Sequence, residues 1–158
     1  MSDAKLGNQL ASLLEGRGAH VTIHDVLDDF PYEWLGRKPA GAPHTAWQLF
    51  EHLRIAQWDI LEFSRDPEHV SPEFPDGYWP DAEAPASLDE WKRRLAEFKA
   101  QLGEMKQWAE TAGPDLFTKI PHGSGQTLLR EALLVADHNA YHTGQLVTIR
   151  QALGEWPG

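Results

Sequence analysis

The segment TLLREALLVADHNAYHTGQLVTIRQALG, Thr127–Gly154, sets the architecture of this chain. Leu128, Ala132, Val135, His142, Leu146, Ile149 and Leu153 recur at the steps that bring side chains onto one face of an α-helix. Gly154 follows as a C-cap, because glycine enters the left-handed conformation that ends helices without a steric penalty. An apolar stripe of this length has to be covered by other elements, so the rest of the sequence is read for what covers it.

Two further segments carry the same signature. In HTAWQLFEHLRIAQWDILEF, Thr45 and Gln48 have capping-box spacing, and Leu49, Leu53, Ala56 and Ile60 form a stripe that runs to about Arg65, before Pro67. After ASLDEW, Ser87 and Glu90 make a second box, and Leu88, Trp91, Leu95, Phe98, Leu102 and Met105 follow in register up to Gly113-Pro114. The N-terminal part predicts a broken helical arm: Leu6, Leu10 and Leu13 first, an interruption at Gly16 and Gly18, then Ile23 to Phe30 started by Thr22 with Asp25. SRDPEHVSPEFPDGYWPDAEAPAS, with five prolines, and GPDLFTKIPHGSGQ read as loops; the first is long enough for a lid or an ordered crossover, pinned by Phe74, Tyr78 and Trp79. With no credible strand, the expectation is an all-α four-helix bundle, a single domain over 1–158, with a long connection between the second and third helices.

Composition narrows the chemistry. The absence of cysteine removes disulfides, thiolate ligands and cysteine nucleophiles. A net charge of −10, from 24 acidic and 14 basic residues, disfavours nucleic acid and anionic membranes as partners. No apolar run approaches a bilayer span, and MSDAKLGNQL lacks the pattern of a signal peptide, so a cytoplasmic location is expected.

Among eight histidines, His138 and His142 stand four apart, one turn along the same helix face, where two imidazoles can converge on one ion. On spacing alone a hydrogen-bonded core pair explains them equally well, since a buried imidazole needs partners of some kind. A third inward histidine on another helix favours the metal, and His52 sits at the edge of the Leu49, Leu53, Ala56 stripe. His20 and His24 share the spacing, but a cap at Thr22 leaves His20 outside the helix. His44, His69 and His122 fall in loops beside Pro or Gly and are expected at the surface, with His122 near a bundle mouth as an alternative. Asn139 occupies the position at which a zincin helix carries its general-base glutamate, which argues against a metalloprotease. Asp137, Glu51, Tyr141 and Gln145 are close to these histidines in sequence, but helical geometry turns neighbours to other faces and gives them no catalytic role; Gly144 is read as permitting close helix packing.

With His52 in WQLFEHLRIAQ and the closing DHNAYHTGQLVTIRQALG, the chain resembles the DinB-like superfamily of bacterial four-helix bundles, whose pattern is one histidine on the second helix and H-x-x-x-H-x-G-Q on the last. The resemblance covers nearly the whole chain. It implies a site in which His52, His138 and His142 bind one divalent metal ion, commonly zinc or nickel, and it implies a homodimer formed by helix packing. Function within the family is diverse: the resemblance allows a metal-dependent hydrolase acting on a small-molecule substrate, an S-transferase using a low-molecular-weight thiol such as bacillithiol or mycothiol, an isomerase, or a non-catalytic metal-binding or stress-response protein.

Overall fold

The computed structural model describes residues 2–156, so Met1, Pro157 and Gly158 at the extremes of the expected 1–158 domain lie outside the described residues. Five α-helices are present among them: α1 Ser2–Leu14, α2 Ile23–Leu27, α3 Ala46–Arg65, α4 Leu88–Thr111 and α5 Leu128–Leu153. There is no strand among the described residues, only an isolated antiparallel bridge between Lys119 and Thr127.

The helix starts follow the local chemistry. Thr45 Oγ1 accepts from the Gln48 N–H at 3.1 Å while Gln48 Oε1 accepts from the Thr45 N–H at 3.1 Å, so two otherwise orphaned donors of α3 satisfy each other's side chains. Thr22 and Asp25 do the same for α2. The box expected at Ser87 is only half formed. Ser87 Oγ accepts from the Glu90 N–H at 3.1 Å, but the Glu90 carboxylate accepts from the Ala86 N–H instead, at 2.7 Å. Ser87 is fully extended at φ −159°, where Thr45 has φ −78°, and that rotation swings its own N–H away from the helix. At the far end of α5, Gly154 has φ 78° and its N–H closes onto the Arg150 and Gln151 carbonyls, as its position after the stripe demands.

Four long helices pack as neighbours, α1 against α4 and α5, and α3 against α4 and α5. Phe50 of α3 lies at the centre of the core, edge-on to Trp91 at 4.8 Å and to Phe98 at 5.8 Å, both on α4. One stripe is turned from its expected setting. In α1 the buried face is Gly7, Leu10, Ala11 and Leu14, while Leu6 and Leu13 remain 36% and 48% exposed. The cause is close approach: a Cβ on Gly7 would lie 2.3 Å from the Ala109 carbonyl oxygen of α4, so α1 meets α4 along its smallest residues.

The connection between α3 and α4 is folded onto the helices at specific points. Tyr78 donates its hydroxyl to Asp59 Oδ2 at 2.6 Å, and His69 Nε2 lies 2.7 Å from Asp59 Oδ1, with its side chain only 8% exposed. His69 is therefore not a surface residue as its loop position suggested; a buried carboxylate holds it in. Phe74, expected to pin the connection, is 84% exposed, and the anchoring falls to Tyr78 and Trp79. At the other end of the molecule Arg150, 3% exposed, donates to the Val26 carbonyl, Asp29 and the Glu155 carbonyl and lies over the Phe30 and Trp156 rings, which ties α2 to the end of α5.

Candidate metal centre

Two helices and the connection converge on three imidazoles. His52 comes from the middle of α3, and His138 and His142 come from successive turns of α5, the helix that packs beside it. One ring nitrogen from each lies within 4.8 Å of the other two, and no other His, Cys, Asp or Glu among the described residues joins the group. The closest pair is His52 Nε2 and His138 Nε2, 3.0 Å apart. Two imidazole nitrogens each about 2.1 Å from one ion are about 3.0 Å apart at a right angle and about 3.4 Å apart at the tetrahedral angle, so this spacing suits a shared ion.

For His52 and His142 the far side of the ring shows which nitrogen is free. His52 Nδ1 lies 2.9 Å from the Tyr78 carbonyl oxygen, which can only accept, so Nδ1 carries the proton and Nε2 keeps its lone pair. His142 Nδ1 lies 2.6 Å from Gln145 Oε1, and by the same logic His142 also offers a bare Nε2. A ring that donates from one nitrogen to a fixed acceptor is oriented as a ligand from the other. The contact between His52 and His138 is equally a hydrogen bond when no ion is present, with His138 Nε2–H donating, so the core-pair reading and the metal reading share this geometry.

Electrostatics keeps all three rings neutral. Burial pushes His138 down to about 4, with the neighbouring His142 and His52 adding to the shift. Burial also lowers His52 against the opposing pull of the Tyr78 carbonyl, and lowers His142 against that of Gln145. Neutral imidazoles at neutral pH are the protonation state that divalent ions require.

Aromatic rings close the site. His52 stacks on Trp79 with centroids 4.0 Å apart and planes 2° from parallel, and His44 stacks on the same indole at 4.0 Å and 17°. Two rings cannot occupy one face at that distance, so Trp79 is sandwiched between His44 and His52. Tyr141 is edge-on to His142 at 4.8 Å. His44, expected at the surface, is thus half-buried in the wall of the centre.

The remaining histidines are apart from it. His20 is exposed and outside α2, as a cap at Thr22 requires, and His24 lies on α2 without it. His122 is exposed, with Nε2 2.6 Å from the Phe63 carbonyl near the end of α3. The sequence reading missed Gln145, whose amide oxygen orients a candidate ligand, although its position three residues after His142 puts it one turn on along the same face. It also missed the Tyr78 carbonyl and the Trp79 sandwich, for which a linear sequence carries no signal. Glu51 is turned away into an ion pair with Arg54, and Asn139 bonds across to Gln57 of α3 at 3.0 Å. Gly144 does not permit close packing within the chain, since a Cβ there would meet nothing within 4 Å. No helix among the described residues is long and apolar enough to cross a membrane.

Comparison with curated proteins finds no match, and neither does comparison with solved structures. A family model does match, that of the DinB superfamily, over residues 18–146, a span that takes in α2 to α5 as far as Leu146 and all three converging histidines. The helical architecture and the histidine on α3 facing a pair on the last helix agree with that match, and the chain belongs to the DinB superfamily.

Proposed function

We propose that His52, His138 and His142 hold one divalent cation, zinc or nickel, and that the protein is a metal-dependent enzyme acting on a small molecule, either as a hydrolase or as an S-transferase using a low-molecular-weight thiol. The observation behind this reading is the donor set: three neutral imidazoles within 4.8 Å of one another, with no fourth ligand among the described residues. Three protein ligands leave room for an exchangeable partner, whereas purely structural sites are closed by four. In the same reading the four long helices form a four-helix bundle in a single domain, and the protein is a cytoplasmic homodimer.

Bound there, a divalent ion would supply Lewis acidity, polarising a substrate atom or lowering the pKa of a water or thiol that reaches it. The chain's own residues do the rest. The Tyr78 carbonyl and Gln145 hold His52 and His142 in the tautomer that points Nε2 inward, and their hydrogen bonds make each ring a stronger donor. Trp79 lies flat against His52 and excludes water from that face. Burial keeps the three rings unprotonated and ready to bind.

Elemental analysis of protein purified without a histidine tag should find about one divalent ion per chain, and His142→Ala should lose it while keeping its helical circular dichroism. Metal-free wild-type protein that also fails to take up zinc or nickel on titration would sink the proposal. The second reading, a non-catalytic protein with a saturated ion, is favoured if the loaded protein binds neither a thiol nor an anionic inhibitor at the metal.

A further inference from the structure

Beside the three histidines the described residues form a cavity of about 470 Å³ between α5 and the segment that precedes α3. Its volume is that of a small-molecule site. Its walls are made by Pro39, Pro43, Leu49, Ile149 and Ala152, and no Asp, Glu, Lys or Arg lines it. That is a marked exclusion in a chain of which 24% is charged. The crevice between α3 and α4, by contrast, is lined by Arg54, Arg94 and Glu97.

Of the four polar side chains in the cavity, three belong to residues that flank the candidate metal centre; the fourth, Thr148, turns its hydroxyl back to donate to the Gly144 carbonyl at 2.9 Å. Gln145 lines the cavity and also accepts from His142 Nδ1 through its amide oxygen, which leaves both N–H groups of the amide as donors for the cavity. His44 lines it and stacks on the Trp79 face opposite His52. Tyr141 lines it and touches His142 edge-on.

We infer that this cavity binds the body of an uncharged, largely apolar small molecule with a hydrogen-bond acceptor, and that the acceptor meets the Gln145 amide N–H₂ at the end of the cavity nearest the histidines. The designation of this molecule as the substrate rests on the metal-dependent reading above; the binding site itself does not. The wall chemistry decides the class. An anion would leave water for a cavity without a cation, in a protein of net charge −10, and a cation would find no carboxylate. A low-molecular-weight thiol bearing acidic groups is excluded from this cavity on the same ground, so in a transferase the cavity takes the other, uncharged substrate.

Prodan, an uncharged naphthalene ketone whose emission moves to the blue in apolar surroundings, is a suitable probe. It is expected to bind wild-type protein saturably, one per chain, in both metal-free and metal-loaded forms. Gly144→Leu fills the cavity from a helix position where a Cβ meets nothing within 4 Å, so the variant should fold as well as wild type. It should weaken prodan at least about tenfold, as should Ala152→Phe, a second plug remote from the histidines. Acetylnaphthalene should displace prodan at least about ten times more effectively than naphthoate, its carboxylate counterpart. Absence of saturable binding, equal binding by both plugged variants, or equal competition by naphthoate overturns the inference. So does a second copy of the chain covering the cavity, seen as exclusion of prodan with a change of oligomeric state in the plugged variants. If prodan binds as expected while no metal is taken up, the metal reading fails and the cavity assignment stands.

Discussion

His138 is the most strongly perturbed of the three imidazoles, and its perturbation has a signed consequence for stability. In the unfolded chain a histidine takes up its proton near pH 6.5, whereas burial holds His138 neutral in the folded protein down to about 4. Between those values the unfolded state binds more protons than the folded one, so stability is complete above pH 6.5 and falls as the pH drops towards 4. His52 and His142 are shifted in the same direction and steepen the fall. Urea unfolding of the metal-free protein across this range should show a slope of at most about 1.4 kcal/mol per pH unit from each histidine, and His138→Phe should flatten it. A pH-independent midpoint between pH 4 and pH 6.5 would mean that the rings are not desolvated. The residue scale also shows what spacing can and cannot reveal. His138 and His142 were legible as a pair because a helix repeats every few residues, and His52 because it borders an apolar stripe. The burial of His69 by Asp59, and of His44 by Trp79, depends on where a proline-rich connection folds back, which no periodicity encodes.

At the scale of the element, the starts of α2 and α3 and the end of α5 were readable, because each is determined by a hydroxyl, a carboxylate or amide three residues on, or a glycine acting within one turn. The setting of α1 was not. Leucine spacing pointed to Leu6, Leu10 and Leu13, but the closest helix approach selected Gly7 and Ala11, because the closer backbones come together, the less side chain can stand between them. Gly7→Ala tests this directly. The added methyl meets the Ala109 carbonyl oxygen and the Glu110 Cα, both main-chain atoms that no rotamer change can move. Alanine is the better helix former by about 1 kcal/mol, yet the expected outcome is a net loss of about 1–3 kcal/mol in denaturant unfolding, with α1 displaced from α4. A neutral or stabilising effect would show that α1 does not pack in this register.

For the molecule as a whole, the candidate centre is held by a scaffold that does not depend on it. The core runs without interruption from Leu10 and Leu14 of α1 through Phe50 and Leu53 of α3 to Phe98 of α4 and Leu146 of α5. Burial on that scale distinguishes the protein from small zinc modules that unfold without their ion. Chelator-treated protein is therefore expected to keep the far-ultraviolet circular dichroism of the loaded form, with only a lower Tm. Collapse of the helical signal on chelation would show that the ion is structural.

The orientation of His52 by the Tyr78 carbonyl has a bearing on how the site can be interrogated genetically. The acceptor is main chain, so side-chain replacement at position 78 does not delete it, and a codon-by-codon scan registers there the loss of the hydroxyl bond to Asp59 and of the ring contact with Phe74. The control of His52 is written in the path of the backbone. Replacing the amide between Tyr78 and Trp79 with an ester weakens the carbonyl without altering any side chain, and its effect is read against the loss of the Trp79 N–H bond to the Asp76 carbonyl that the same change removes.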